Sequence, residues 1–378
     1  MYIHFPWCLQ KCPYCDFATR PISRPDVPHR AYADSLLREL EFRAEATRNA
    51  HLVSIFFGGG TPSLWDATEL GRVREAIVGS FASIASDLEI TVECNPSSLN
   101  RDKAKSLRDA GVNRLSIGIQ SLNNERLRYL GRLHDRDGGL RAVSEALEVM
   151  DRVSADLMFG MPGQKGTDFA SEVEQLLQLG LRHVSAYSLT IEPNTQFGAL
   201  AKKGKLPLAI DDDVAECFVL GRDAFATKGL LPYEVSNYAV PGDEARHNQH
   251  YWRGGAYVGL GAAAVGCVSD EGTRMRRYRN QPDPSLYMSN SAGSSVEEST
   301  ETLDAEDRVR EALMLGLRTT EGMNLDAVRA ATGLDPLRDR EKSLEKRIKS
   351  GDVVVDGPHL RVPCDRWLLL DSIVRDLF

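Results

Sequence analysis

Three cysteines stand close together near the amino terminus, Cys8, Cys12 and Cys15, at spacings of four and three. Disulfides use sulfur atoms in pairs, whereas an iron–sulfur cluster is gripped by several thiolates converging from one short loop. In a four-iron cluster, three protein ligands leave one iron open, and an open coordination site separates a reacting metal centre from a structural one. The other readings are a zinc site or three unconnected buried thiols. Zinc is disfavoured because no fourth Cys or His follows at the short spacing zinc motifs use. A second constellation lies far downstream, where His247, His250, Tyr251 and Trp252 fall within six residues. Rings so close together build either a flat aromatic site with one axial imidazole, which is what heme needs, or an interface packed around hydrogen-bonded histidines.

Both groups need rigid supports. Residues 2–5 read as a strand feeding the cysteine loop, with Pro6 and Pro13 fixing dihedrals around the first ligands. A helix is expected over 31–46, where Leu36, Leu37, Leu40 and Ala44 recur at helical spacing. Short apolar runs at 52–57, 88–93, 114–119, 155–159 and 183–189 then alternate with helical segments, among them 65–78 and 101–110. Six strands with covering helices predict a parallel sheet, barrel-like or open. In that layout the carboxyl ends of the strands converge on one face, so residues there are read as functional first: the glycines 58–60, Glu93, Gln120 and Asp156, with Arg132 just beyond the fourth strand. A helix over 211–228 and a strand-like run over 232–238 follow. The glycines in 257–264 imitate a dinucleotide fingerprint, but they do not open a βαβ unit and lack the acidic residue about 20 positions on, so they are read as close backbone packing. Residues 268–303 are polar and read as a mobile connection or partner-facing loop. From 304 onward, helices near 304–318, 324–331 and 335–349 and a two-stranded piece over 353–362 resemble a winged helix. Residues 304–378 hold 13 Lys plus Arg against 15 Asp plus Glu, so no basic nucleic-acid footprint is visible and a lid or docking role is expected.

The 378 residues, 42% of them hydrophobic, suffice for a large core and two or three domains. Seven cysteines make an odd number, three of them clustered, which fits a reducing cytoplasmic setting rather than a disulfide framework. Cys94, Cys217, Cys267 and Cys364 are read as buried or incidental thiols. No run of about 18 apolar residues predicts a membrane span, and no signal peptide is expected before the motif. A net charge of -8 argues against a general nucleic-acid binder.

The pattern Cys8-x3-Cys12-x2-Cys15, with Tyr14 before the last cysteine and Tyr2-Ile-His-Phe-Pro-Trp upstream, resembles the radical S-adenosylmethionine superfamily. The likeness runs along essentially the whole chain. It is similar to the branch that holds the oxygen-independent coproporphyrinogen oxidases and the heme chaperones of the HemW type. The resemblance implies a partial (β/α)6 barrel over 1–230, a family-specific connecting region over 231–303 and a winged-helix-like domain over 304–378. It implies a 4Fe-4S cluster on Cys8, Cys12 and Cys15, and S-adenosylmethionine held by Tyr2, Gly60, Thr61, Pro62, Glu93, Gln120, Arg132 and Asp156. Within that set, glycine amides at 58–60 suit the methionyl amino and carboxylate groups, and Glu93 suits the ribose hydroxyls. The HNxxYW motif, here His247, Asn248, Tyr251 and Trp252, resembles a signature of the chaperone branch and implies heme on His247 or His250. Coproporphyrinogen oxidases carry a further cysteine two positions after the third, where this chain has Phe17, and an amino-terminal extension; seven residues precede Cys8 here. The expectation is therefore a heme chaperone serving acceptor hemoproteins, including membrane-associated respiratory ones, with no coproporphyrinogen oxidase activity. The alternative is an oxygen-independent coproporphyrinogen oxidase or another radical S-adenosylmethionine enzyme acting on a porphyrin.

Overall fold

The computed structural model describes all 378 residues. Six strand–helix units open the chain: β1 (Tyr2–Phe5) and α1 (His29–Phe42), β2 (His51–Gly59) and α2 (Ala67–Ser80), β3 (Ser83–Cys94) and α3 (Arg101–Asp109), β4 (Arg114–Gln120) and α4 (Arg136–Leu147), β5 (Val153–Phe159) and α5 (Gly166–Leu177), β6 (His183–Ser188) and α6 (Asp211–Ala226). All six strands pair in parallel, each with its sequence neighbour, as the alternation predicts. Parallel strands covered by helices are buried on both faces, which is why β5 reads as a mostly apolar run interrupted by Ser154 and Asp156. Asp66, Asn100 and Asp135 cap α2, α3 and α4 by accepting bonds from backbone amides in the first turn, which fixes where each covering helix begins.

The sheet extends beyond six strands. The run over 232–238 is a hairpin of β7 (Leu231–Glu234) and β8 (Asn237–Ala239), and β8 pairs antiparallel with β6. At the opposite edge β9 (Gly259–Leu260) joins β1 in parallel. A Cβ on Gly259 would lie 2.1 Å from the Val265 carbonyl, so these glycines do serve close backbone packing. Between β8 and β9 stands α7 (Arg246–Trp252), which carries the HNxxYW motif.

Residues 268–303 are not a mobile connection. They belong largely to an antiparallel sheet of β10 (Val265–Ser269), β11 (Met275–Asn280) and β12 (Glu297–Leu303), with a short helix at Pro284–Asn290. The segment looks polar because the charged residues of β11 and β12 pair across the strands, as Arg277 does with Glu301 at 2.8 Å, while Tyr278 and Asn280 point inward and are buried. A buried network fastens this sheet to α1. Glu39 accepts from Asn280 Nδ2 at 2.7 Å, Tyr287 Oη at 2.7 Å and the Gly261 amide at 2.9 Å, and pairs with Arg43. Arg43 in turn stacks its guanidinium 3.5 Å from the Tyr278 ring centre and bonds Glu297.

The carboxyl-terminal region has α8 (Ala305–Gly316), β13 (Met323–Asn324), α9 (Leu325–Thr332), α10 (Glu341–Lys349), β14 (Val354–Asp356) and β15 (His359–Arg361), the order of a winged helix. Its third helix begins at Glu341 rather than 335. Fourteen buried apolar side chains form a core of its own, so this region packs as a separate layer against the barrel. No helix of the chain is long and apolar enough to cross a membrane.

Arg43 keeps Glu297 when Glu39 is lost, but Glu39→Ala leaves the buried Tyr287 hydroxyl and Gly261 amide without an acceptor and is expected to cost about 3–5 kcal/mol. Denaturant unfolding followed by circular dichroism measures this; a loss below about 1 kcal/mol would show the network to be incidental.

Candidate functional site

The cysteine loop leaves β1 at the carboxyl end of the barrel and is pinned from three sides. Gly60 donates to the Phe5 carbonyl at 2.7 Å, Thr61 to the Trp7 carbonyl at 2.8 Å, and Phe197 to the Pro13 carbonyl at 2.9 Å. A Cβ on Gly60 would lie 2.4 Å from the Trp7 carbonyl oxygen, and one on Gly59, whose φ is +103°, would strike the His4 ring. The glycines therefore let two backbone segments touch. Their amides are already used, because Gly59 donates to Glu93 Oε2 at 3.0 Å. Of the amides of 58–60 expected to meet a ligand, those of Gly59 and Gly60 are thus bonded within the chain.

Beneath the loop lies a cavity of about 460 Å³ lined by Cys8, Cys12, Cys15, Gly60, Thr61, Glu93, Gln120, Arg132 and Asp156. Nine residues chosen from separate stretches of sequence thus meet in one chamber. Tyr2 and Pro62 stand one layer behind: the Tyr2 hydroxyl bonds His4 Nδ1 at 2.9 Å, and Pro62 opens a buried turn after the glycines. All three loop cysteines are free thiols, and they do not stand in a closed metal-binding triad. Burial raises the Cys8 and Cys15 thiols, while Lys11 acts in the opposite sense on both. Arg132 is the cation of this set: Nη2 donates to the Gly118 carbonyl at 2.7 Å, Nη1 approaches the Cys12 sulfur at 3.5 Å, and its buried Nε has no partner. An orphaned proton on the guanidinium that reaches the Cys12 thiol fits a group that carries negative charge.

Gln120 reaches the chamber through a bulge: the β4–β5 register shifts between Gly118 and Gln120, and Gln120 adopts φ +69°, a left-handed conformation costly for a residue with a Cβ. Two acids face each other at the strand ends. Burial and the neighbouring Asp156 push Glu93 up to about 7, and burial also raises Asp156 although Ser116 donates to it at 3.0 Å. Asn248 of the HNxxYW motif also lines the chamber, as do Arg114, Ser116 and Ser185, three strand residues not among the expected site residues. A cation or hydroxyl in an otherwise apolar strand was the available signal.

His247 and His250 do not enter that chamber. With Tyr251, Tyr257 and Tyr278 they line a second cleft, about 640 Å³, at the amino-terminal ends of β1 and β2. The His247 ring stacks on Phe56 with centres 4.7 Å apart, and Phe56 faces the cysteine chamber on its other side. Phe56, His247 and Asn248 therefore form the partition between the two spaces. Glu89, wholly buried in β3, holds α7 there: it accepts from the Arg246 and His247 amides at 3.2 and 3.1 Å and pairs with Arg152 at 2.8 Å. Burial lowers both histidines, His247 far below the usual range, so both are neutral imidazoles.

Residues 2–176 match the Radical SAM superfamily model and residues 303–369 the HemN C-terminal domain. Barrel, cysteine loop and strand-end residues together define a radical S-adenosylmethionine protein of the coproporphyrinogen oxidase-like branch. The chain is 36% identical over 378 residues to the heme chaperone HemW of Escherichia coli (strain K12), covering 99% of this chain and 96% of that one. Over 326 residues it is 34% identical to HemW of Bacillus subtilis (strain 168), covering 85% and 84%. A mitochondrial radical S-adenosyl methionine domain-containing protein 1 of Danio rerio is 34% identical over 384 residues, covering 99% and 85%. On these likenesses the chain belongs to the HemW family. Among solved structures, the Escherichia coli coproporphyrinogen III oxidase HemN superposes with a TM-score of 0.81 at 22% identity, covering 100% of this chain and 89% of that one, which establishes the shared fold.

The sign of the Glu93 shift fixes a pH dependence. An acid raised in the folded state binds a proton that the unfolded chain has lost, so the ligand-free protein loses stability as pH rises from about 4.5 to about 7. Glu93→Gln should remove roughly 2–3 kcal/mol of that loss. Thermal unfolding of both proteins at pH 5 and pH 8 measures it; parallel pH profiles would reject the assignment.

Proposed function

We propose that the protein is a heme chaperone that holds a 4Fe-4S cluster, S-adenosylmethionine and heme, and passes heme to acceptor hemoproteins, including membrane-associated respiratory ones. The single observation that carries this reading is the placement of the HNxxYW histidines in a cleft walled off by Phe56 from the chamber that holds the cysteines. A chaperone needs its cargo at a surface cleft from which it can leave; a porphyrin oxidase needs its substrate beside the cluster.

Cys8, Cys12 and Cys15 would hold the cluster, and Arg132, within reach of Cys12, offsets the thiolate charge. When bound, such a cluster offers an open iron and one electron. Gly60, Thr61, Glu93, Gln120, Arg132 and Asp156 supply a wall of donors and acceptors for an amino acid joined to a ribose, and Tyr2 and Pro62 brace that wall from behind. Protonated near neutrality, Glu93 can donate as well as accept, which suits a ribose hydroxyl pair. The Gly59 and Gly60 amides play no part, since both are bonded within the chain. His250 is the better placed heme ligand. It is more exposed than His247, whose ring is stacked on Phe56 and bonded through Nδ1 to Ser54 at 2.9 Å, whereas His250 donates Nε2–H to the Ala256 carbonyl at 2.7 Å and keeps Nδ1 for other use. A cytoplasmic setting suits free thiols destined for a cluster.

Anaerobic reconstitution tests both halves. The intact chain should gain visible absorbance that Cys8→Ser, Cys12→Ser and Cys15→Ser each abolish. It should bind hemin with a shifted Soret band that His250→Ala weakens at least tenfold, while coproporphyrinogen is left unconverted. Appearance of protoporphyrinogen would instead favour the enzyme reading, and retained absorbance in the cysteine variants would sink the ligand assignment.

A further inference from the structure

The amino-terminal face of the barrel carries two clefts that run into one another. The larger, about 640 Å³, is mainly apolar, walled by Phe42, Leu52, Phe81, Tyr257 and Val268. The smaller, about 350 Å³, is polar and mostly basic, lined by His51, Arg246, His250 and Arg253 with Asp87 as its one acid. Both are within the roughly 300–1,000 Å³ typical of small-molecule sites. His51, Val53 and His250 line both, so the two form one trough, apolar at one end and cationic at the other, with His250 at the junction. The His250 ring is fixed there: a Cβ on Gly255 would lie 2.3 Å from it, and the Ala256 carbonyl takes its Nε2 proton.

An apolar slot that ends in two arginines, with an imidazole between, selects a flat macrocycle bearing carboxylates along one edge. We infer that the trough fixes the orientation of a porphyrin, its ring seated against Phe42, Phe81 and Tyr257 and its propionates reaching Arg246 and Arg253. This rests on the heme-chaperone reading and deepens it by naming the residues that bind the carboxylate edge. Both arginines are available. Arg246 pairs with Asp87 and Arg253 with Glu321 of the winged-helix region at 2.8 Å, and both partner carboxylates are more than half exposed. Exposed ion pairs contribute little, so a ligand carboxylate replaces either partner at small cost. A guanidinium also binds a carboxylate in a bidentate geometry that a lysine cannot reproduce. Glu321 adds a consequence for release: the winged-helix region competes directly with cargo for Arg253.

Titration of the full chain with hemin, and with hemin whose two propionates are esterified, decides the matter. The unaltered chain should bind hemin at least tenfold tighter than the diester. Arg246→Ala with Arg253→Ala should weaken hemin at least tenfold, leave the diester unchanged and so erase the difference, while the double lysine variant recovers part of it. Ala50→Trp, which fills the apolar half and leaves His250, Arg246 and Arg253 in the sequence, should weaken both ligands. S-adenosylmethionine binding should be unchanged throughout, because its chamber lies beyond Phe56, and that readout also confirms that the variants are folded. Hemin binding by the intact chain that survives both the double alanine variant and Ala50→Trp would overturn the placement while leaving the chaperone reading intact. Failure of the intact chain to bind hemin at all would defeat that reading and the placement with it.

Discussion

The contact between Gly60 and the Trp7 carbonyl decides where everything else can stand. A side chain at position 60 has no room, since its first carbon would lie 2.4 Å from that oxygen, and the two short bonds from Gly60 and Thr61 tie the end of β2 to the chain just before Cys8. The cysteine loop is thereby hung over the open ends of the strands by backbone alone. Arg132, arriving from beyond β4, can then meet Cys12 only because the loop is held at that height. Glycine here is a steric requirement, and the freed space is filled by protein rather than by ligand.

A second constraint works from below. Glu89 is completely buried, and an isolated carboxylate in that position would be prohibitive without partners; Arg152 and two amides at the start of α7 supply them. The same bonds set the height of α7, so that Asn248 faces the cysteine chamber while His247 and His250 face away. One helix of seven residues thus serves two chambers, with Phe56 and His247 stacked as the wall between them. The Glu39 network performs a similar task at the edge, fixing the three-stranded sheet whose Tyr278 and Val268 complete the outer cleft. Polar groups buried in this way cost free energy unless every partner is in place, which makes them devices for position more than for stability.

Within the family the barrel is shared with the coproporphyrinogen oxidase HemN, whose fold this chain matches over its full length. In this chain the two ends of the barrel carry different groups. Acids and two arginines stand around the cysteines; aromatic rings and a basic rim stand around the histidines. In the first environment Glu93 and Asp156 crowd each other while Arg114 and Arg132 stand opposite, so charge of both signs is gathered there, whereas the second has arginines with a single acid between them.

Six strand–helix units, the cysteine loop and the winged-helix order were legible because each follows from local rules: period, caps, and the spacing of ligands along a few residues. Gly60, Glu93, Gln120 and Asp156, with Arg132 just beyond, were legible because parallel strands in sequential order bring their carboxyl ends together, while Thr61 and the closure into a barrel followed from the family resemblance. Three features were not legible. Residues 268–303 form a sheet whose charged strands satisfy one another across a gap no single segment reveals; the Gly59 and Gly60 amides are consumed by neighbours distant in sequence; and the histidines face the opposite end of the barrel from the cysteines. Sequence alone fixed which residues could bind and how far apart they lie along the chain. Only the tertiary structure decided which of them share a space, because the side on which α7 shows its histidines depends on Glu89, more than 150 positions away, and such distant bonds leave no periodic trace.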